Sequence, residues 1–256
     1  MPGEVMNLYL AGTSIMEPYF RTGEINAASV SALCSFYGIS DFEKEYLSKF
    51  KRVIIDSGAF SFINGKRIGN WARYTEDYAA FINQYGIENF FELDIDSIVG
   101  LKEVERLRAM LERLTGKQPI PVWHKGRGKD YFLGMVKDYP YIALGGIAIK
   151  EIPRNIFEKS FPWFINKAHE NNTKIHGLGY TSLPNLTKYH FDSVDSTTWN
   201  VGAKYGNVCQ IKLGRGGVPD AHQKHRPGTR VINSRELAKF NFLQWIKAQQ
   251  YAEKHL

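Results

Sequence analysis

Five aspartates in this chain sit where an apolar run gives out, and carboxylates in that position are the residues most able to do chemistry. Asp56 follows Val53-Ile54-Ile55, Asp94 and Asp96 follow Phe90-Phe91, and Asp192 and Asp195 bracket Val194. An ionised carboxylate at the edge of a core is costly unless it is paired, hydrogen-bonded or used. One such Asp is often only the N-cap of the next helix, but capping does not account for five. Two carboxylates of different character are what general acid/base and nucleophilic chemistry require. His124 holds the equivalent position after Ile120-Pro121-Val122, and Gly145-Gly146 after Ile142-Ala143-Leu144. The glycine pair reads either as a tight turn or as backbone left bare so that its N–H groups reach a planar ligand. His176, inside a strand-like run, reads as structural.

These residues share a mouth only if strands of one direction carry them. Apolar runs alternate with helix-period segments, the pattern of repeated βα units. Eight strands are expected, at Asn7–Ala11, Arg52–Ile55, Asn89–Leu93, Pro119–Trp123, Tyr141–Leu144, Lys174–Leu178, Phe191–Val194 and Asn207–Leu213. Among the helices, Ser40-Asp41-Phe42-Glu43 carries a capping box, Thr75 opens a helix ending at Gly86, and Leu101 to Leu114 keeps a helical apolar stripe that stops at Gly116. The expected fold is α/β, a single (β/α)8 TIM barrel over residues 1–256, with a C-terminal helix at about 234–254. Its length of 256 residues suits that fold.

With 33 Lys and Arg against 26 Asp and Glu, the chain carries a net charge of +7, which favours anionic partners without naming one. Two cysteines are too few for a disulfide framework or a thiolate zinc site, so a reducing, cytoplasmic setting is expected. The opening residues lack the pattern of an export signal, and no apolar stretch is long enough to span a membrane. Neither a His-x-His pair nor a clear ligand spacing is present, so no metal and no other cofactor is expected. Positive charge concentrates in two segments, Lys125, Arg127 and Lys129 in one, and Lys212, Arg215, Lys224, Arg226 and Arg230 in the other. The second, rich in glycine and proline over about 212–230, reads as a mobile basic loop.

In order along the chain, Asp56-Ser57-Gly58-Ala59-Phe60, Leu144-Gly145-Gly146-Ile147-Ala148, Gly177-Leu178-Gly179 and Phe191-Asp192-Ser193-Val194-Asp195-Ser196 resemble the motifs of the tRNA-guanine transglycosylase superfamily. Those tRNA enzymes carry a zinc site of three Cys and one His after the nucleophile, where this chain has only Cys209. The compact pattern around Asp192 to Trp199 is more similar to the phage and bacterial DNA 7-deazaguanine transglycosylases. The resemblance implies exchange of guanine in DNA for a free 7-deazaguanine base, such as a cyano- or amidino-substituted form. It assigns Asp195 as nucleophile and Asp56 as general acid/base, with Asp192 as a supporting neighbour. Asp96, or else Asp94, would accept from the guanine N1 and N2, and the Gly145 or Gly146 N–H would donate to O6. Ser57, His124 and Phe60 would complete the base pocket, Phe60 by stacking. The target base would be flipped out or single-stranded, and the two basic segments would hold phosphates. Exchange in tRNA, a base-releasing hydrolase and a non-catalytic nucleic-acid-binding barrel subunit are the competing readings.

Overall fold

In the computed structural model, the described residues are 5–58, 61–62, 69–147, 152–180, 182–204, 206–213, 219–224 and 234–256. Along the chain they form β1 (Asn7–Ala11), α1 (Glu17–Arg21), β2 (Ser31–Ser35), α2 (Asp41–Tyr46), β3 (Arg52–Asp56), α3 (Trp71–Gln84), α4 (Asp96–Val99), α5 (Leu101–Thr115) and β4 (Val122–Trp123). Then follow α6 (Gly128–Asp138), β5 (Tyr141–Leu144), α7 (Arg154–Glu170), β6 (Lys174–Gly177), β7 (Ser193–Ser196), α8 (Thr198–Lys204), β8 (Val208–Leu213), β9 (Pro219–Lys224) and α9 (Ser234–His255).

Seven strands make one curled, all-parallel sheet in the order β3-β2-β1-β7-β6-β5-β4. Residues 89–93 lie between its two edges. The Phe91 N–H donates to Ile55 O at 2.9 Å and the Ile120 N–H to Phe90 O at 2.7 Å. Side chains alternate between two cores, as the two-residue period of a strand requires. Tyr9, Leu33, Ile54, Phe91, Val122 and Ala143 pack together on the inner face. Leu8, Leu10, Ala32, Cys34, Ile55, Ile142 and Val194 face the surrounding helices.

The strands differ from the expectation in further places. β2 was not among the expected strands, because only Ala32-Leu33-Cys34 is apolar between Ser31 and Ser35. The expected eighth strand does not join the parallel sheet: β8 pairs antiparallel with β9 in a separate hairpin. Cys209 is buried and Gln210 exposed, the alternation of a strand wet on one face rather than one covered on both. The hairpin leans on α9, where Asn241 Oδ1 accepts from the Cys209 N–H at 2.8 Å. Lys212 and Lys224 therefore lie on strands, which corrects the single loop expected over 212–230.

Helix ends follow local chemistry. Ser40 and Glu43 form the expected capping box at α2, and α5 closes on Gly116 at φ 67°. α3 instead starts four residues before Thr75. Asn70 caps it by accepting from the Arg73 N–H, and the Thr75 hydroxyl turns inward to Trp71 O. α9 covers the sheet through Gln249, whose amide donates to Leu8 O at 2.7 Å and Ser31 O at 2.6 Å. Among the described residues no helix is long and apolar enough to cross a membrane.

Candidate active site

Because all seven strands run the same way, their C-terminal ends open on one side, and the inner-face alternation decides which residues reach it. Two residues beyond the inward-facing Ile54, Val122 and Ala143 stand Asp56, His124 and Gly145. Asp195 lies in register with the inward-facing Tyr9.

The Asp56 carboxylate accepts from the Gly58 N–H at 3.1 Å. Gly58 has φ +87° and lies so close to Tyr37 that an added Cβ would fall 2.2 Å from the Tyr37 Cβ, so this turn needs glycine. The Tyr74 hydroxyl ties the turn down by donating to Ser57 O at 2.6 Å. Ser57 itself is buried, and its hydroxyl has no hydrogen-bond partner among the described residues. Burial pushes the Asp56 carboxyl up to about 7. The Gly58 N–H opposes that rise, and the negative charges of Asp94 and Asp195 add to it. Asp94 and Asp195 thus both lie near enough for their charge to act on Asp56.

Asp195 is nearly buried, and its Oδ1 accepts from the Gly179 N–H while lying 3.2 Å from Nε2 of His176. Asp192 goes elsewhere. It stands before the first residue of β7, at the opposite end of the strand, where its carboxylate accepts from the Ile175 N–H at 2.7 Å and pairs with His169 at 3.0 Å. Two residues, Ser193 and Val194, separate it from Asp195, a span of three steps or about 10 Å, so the structure does not bring Asp192 to the strand end where it was expected to support Asp195.

Asp94, Asp96 and His124 belong to a connected charge network. His124 Nε2 lies 2.6 Å from Asp94 Oδ1, and Arg127 Nε donates to Asp96 at 3.1 Å. Another Arg127 nitrogen donates to Glu92 at 2.7 Å, and Arg108 reaches the second Glu92 oxygen at 3.0 Å. Burial disfavours the charged imidazole of His124, yet the charge and hydrogen bond of Asp94, aided by Asp96, outweigh it and raise His124 to about 8. Ligand atoms of Asp94, Asp96 and His124 all fall within 4.8 Å of one another, the spacing of a cation site. Here each carboxylate already has a cationic side chain as partner, so the network balances its own charge.

Arg127 was expected to hold phosphate. Its side chain is only 1% exposed and is taken up by Glu92 and Asp96, because a carboxylate inside the run Phe90-Phe91-Glu92-Leu93 must have a buried cation. That Glu92 was the overlooked signal in the sequence. Of Gly145 and Gly146, either of whose N–H groups was expected to face O6 of a base, Gly145 donates instead to Trp123 O at 2.8 Å. The gift of Gly145 is space: an added Cβ would stand 2.6 Å from Cε1 of His124. Gly146 follows at φ +79°.

Lys125 and Lys129 are exposed beside this network, with the Lys129 ammonium 4.6 Å from the Trp163 ring centroid. Phe60, Arg215, Arg226 and Arg230 lie outside the described residues. Two surface depressions, one around Glu88, Lys117 and Tyr141 and one around Phe36, Lys44 and Tyr85, involve none of these acids.

No family model and no curated protein matches the chain. Among solved structures it is similar to the carboxyl transferase domain of Rhizobium etli pyruvate carboxylase, solved with pyruvate, at 11% identity and a TM-score of 0.50. That match covers 98% of this chain and 49% of the other, so the chain spans about half the length of that structure. An aldolase matches at 11% identity and a TM-score of 0.49, over 76% of this chain and 90% of its own. The fold is TIM-barrel-like. In this barrel-like sheet Asp56, Asp94 and Asp195 occupy C-terminal strand ends, the side on which TIM-barrel active sites are built.

Proposed function

We propose that the protein is a base-exchange transglycosylase that replaces guanine in DNA by a 7-deazaguanine derivative through a covalent aspartyl-glycosyl intermediate. In this reading residues 89–93 complete an eight-stranded (β/α)8 barrel, and residues 1–256 are one catalytic domain. One observation carries the proposal. Asp56 on β3 and Asp195 on β7 stand at strand ends that open on the same side, where the charge of Asp195 adds to the raised proton affinity of Asp56 and Asp195 Oδ1 accepts from the Gly179 N–H. A carboxyl whose proton affinity is raised suits the acid, and a second carboxylate at the same mouth suits the nucleophile.

In the first half-reaction an Asp195 oxygen forms a bond to C1′ while the C1′–N9 bond breaks. Guanine leaves with that electron pair and takes the proton of Asp56. In the second, the Asp56 carboxylate takes the N9 proton of the incoming 7-deazaguanine, N9 bonds C1′, and the ester breaks to restore Asp195. Two inversions at C1′ give retention. Asp94, Asp96, His124 and the Gly146 N–H would line the base site, and Lys125 and Lys129 would meet the phosphates of a flipped-out or single strand.

The test offers guanine-containing DNA and tRNA separately, each with a labelled 7-deazaguanine. Label entering DNA, and a denaturant-stable protein–DNA adduct lost in Asp195→Asn, support the proposal. Label entering tRNA alone moves the reading to a tRNA-guanine transglycosylase. Unchanged exchange by Asp195→Asn removes the nucleophile assignment.

A further inference from the structure

The inner face of β5, β6 and β7 carries a run of polar groups, Tyr141, Ser193 and His176, that leads to Asp195 and that the proposed chemistry leaves unused. Tyr141 Oη lies 2.5 Å from Ser193 Oγ, Ser193 Oγ lies 2.5 Å from Nδ1 of His176, and Nε2 of His176 lies 3.2 Å from Asp195 Oδ1. His176 and Ser193 are fully buried, and the imidazole is packed between the rings of Tyr9 and Phe91, at centroid distances of 6.3 and 5.2 Å. A buried imidazole needs a partner on each nitrogen. An ionised carboxylate only accepts, which assigns the proton on Nε2 to the bond with Asp195; in the neutral ring Nδ1 then accepts from Ser193, and the Ser193 hydroxyl in turn accepts from Tyr141.

Both donors to the nucleophile meet the same oxygen. The Gly179 N–H and His176 Nε2–H converge on Oδ1, while Oδ2 accepts no hydrogen bond from the described residues. Resting on the transglycosylase reading above, we infer that His176 is a positioning residue that selects Oδ2 of Asp195 as the attacking atom. Oδ2 keeps an unshared lone pair for C1′. Once the Oδ2–C1′ ester forms, Oδ1 becomes its carbonyl oxygen. When the ester breaks, the electron pair of the Oδ2–C1′ bond returns to the carboxylate. The two N–H donors then stabilise the negative charge growing on Oδ1, as oxyanion-hole donors do. Loss of His176 would therefore slow release of the sugar more than its capture.

The test has two arms. In the first, ¹⁵N spectra of the imidazoles read tautomers in the unmodified protein without any substrate. His176 should be protonated on Nε2, with Nε2 moving in Asp195→Asn and Nδ1 moving in Ser193→Ala. A proton on Nδ1, or no response to Asp195→Asn, overturns the inference whatever reaction the protein performs. In the second, His176→Leu removes the donor and His176→Gln retains an amide N–H. His176→Leu should lower kcat by about 100-fold, the scale of one lost oxyanion donor. KM for DNA should change little, the covalent adduct should accumulate, and His176→Gln should recover most of the rate. Equal loss in both variants, or loss without accumulated adduct, overturns it. Should His176→Leu not fold, Ser193→Ala, which removes the donor to Nδ1 alone, is scored the same way. If the unmodified protein neither exchanges bases nor forms an adduct, the transglycosylase reading fails by itself, and the spectra still decide the His176–Asp195 contact.

Discussion

Nε2 of His124 stands 2.6 Å from Oδ1 of Asp94, joining the end of β4 to the segment that bridges the sheet edges. The same ring fills the space that a side chain at Gly145 would need. Three strand-end signals that look independent along the chain are one object: the glycine makes room for the imidazole, and the imidazole holds the carboxylate.

Gly145→Ala tests that dependence. The added methyl would sit 2.6 Å from His124 Cε1 and 2.8 Å from Val122 Cγ1, so the ring must move away from Asp94. The expected cost is about 1–3 kcal/mol of stability, measured by denaturant unfolding. The His124 pKa should fall from about 8 toward its ordinary 6.5, measured by NMR titration. A variant that keeps both values shows that the ring has another resting place.

Asp56 gives the proposed reaction and the fold each a pH dependence to measure. In the proposed first half-reaction Asp56 acts as the acid and must be protonated, so kcat/KM for DNA should fall tenfold per pH unit above about 7. Asp56→Asn should cost about 10²- to 10⁴-fold in exchange. Since the folded-state value lies above the ordinary 3.8, the folded protein retains a proton between about pH 4 and 7 that the unfolded chain has released. Stability from this group is therefore lost as pH rises through that window. Asp56→Asn should be more stable than the unmodified protein at pH 8, by up to about 4 kcal/mol at about 1.4 kcal/mol per pH unit, and no more stable near pH 4. Parallel melting curves across that range decide it.

Asp192 offers a control on the family motif. Its carboxylate is occupied by the Ile175 N–H and His169, at the far end of β7 from Asp195. Asp192→Asn should leave exchange within about twofold and cost about 1 kcal/mol, the worth of a hydrogen bond. A loss of exchange on the scale of Asp195→Asn would return Asp192 to the active site.

Arg127 and its lysine neighbours should separate cleanly. Replacing Lys125 or Lys129 by Ala should each lower the salt dependence of DNA binding by about one phosphate contact, with little effect on folding. Arg127→Ala leaves Glu92 short of a cation in a fully buried site and should destabilise the protein by about 3–5 kcal/mol. A folded Arg127→Ala protein that has lost only salt-dependent affinity would restore the phosphate role.

Much of this architecture was legible from residues alone, because local rules act over a few positions. Alternation of apolar runs with helical stripes announced a parallel α/β fold, and the strand-exit positions of Asp94 and His124 pointed to two residues that meet. Capping chemistry placed the start of α2 and the end of α5. What pattern cannot carry is the choice of partner across space. β2, apolar only over Ala32-Leu33-Cys34, was not among the expected strands, and β8 turned into a hairpin held by α9 rather than a barrel strand. Arg127, read as a surface cation from its basic neighbours, is claimed by Glu92, and Asp192, three residues from Asp195, faces the other end of the sheet. His176 meets Ser193 and Asp195 only because parallel pairing sets β6 beside β7. Hydrophobic period is encoded in nearest neighbours; the pairing of charges and donors depends on which strands the fold brings together, and only the tertiary structure decides that.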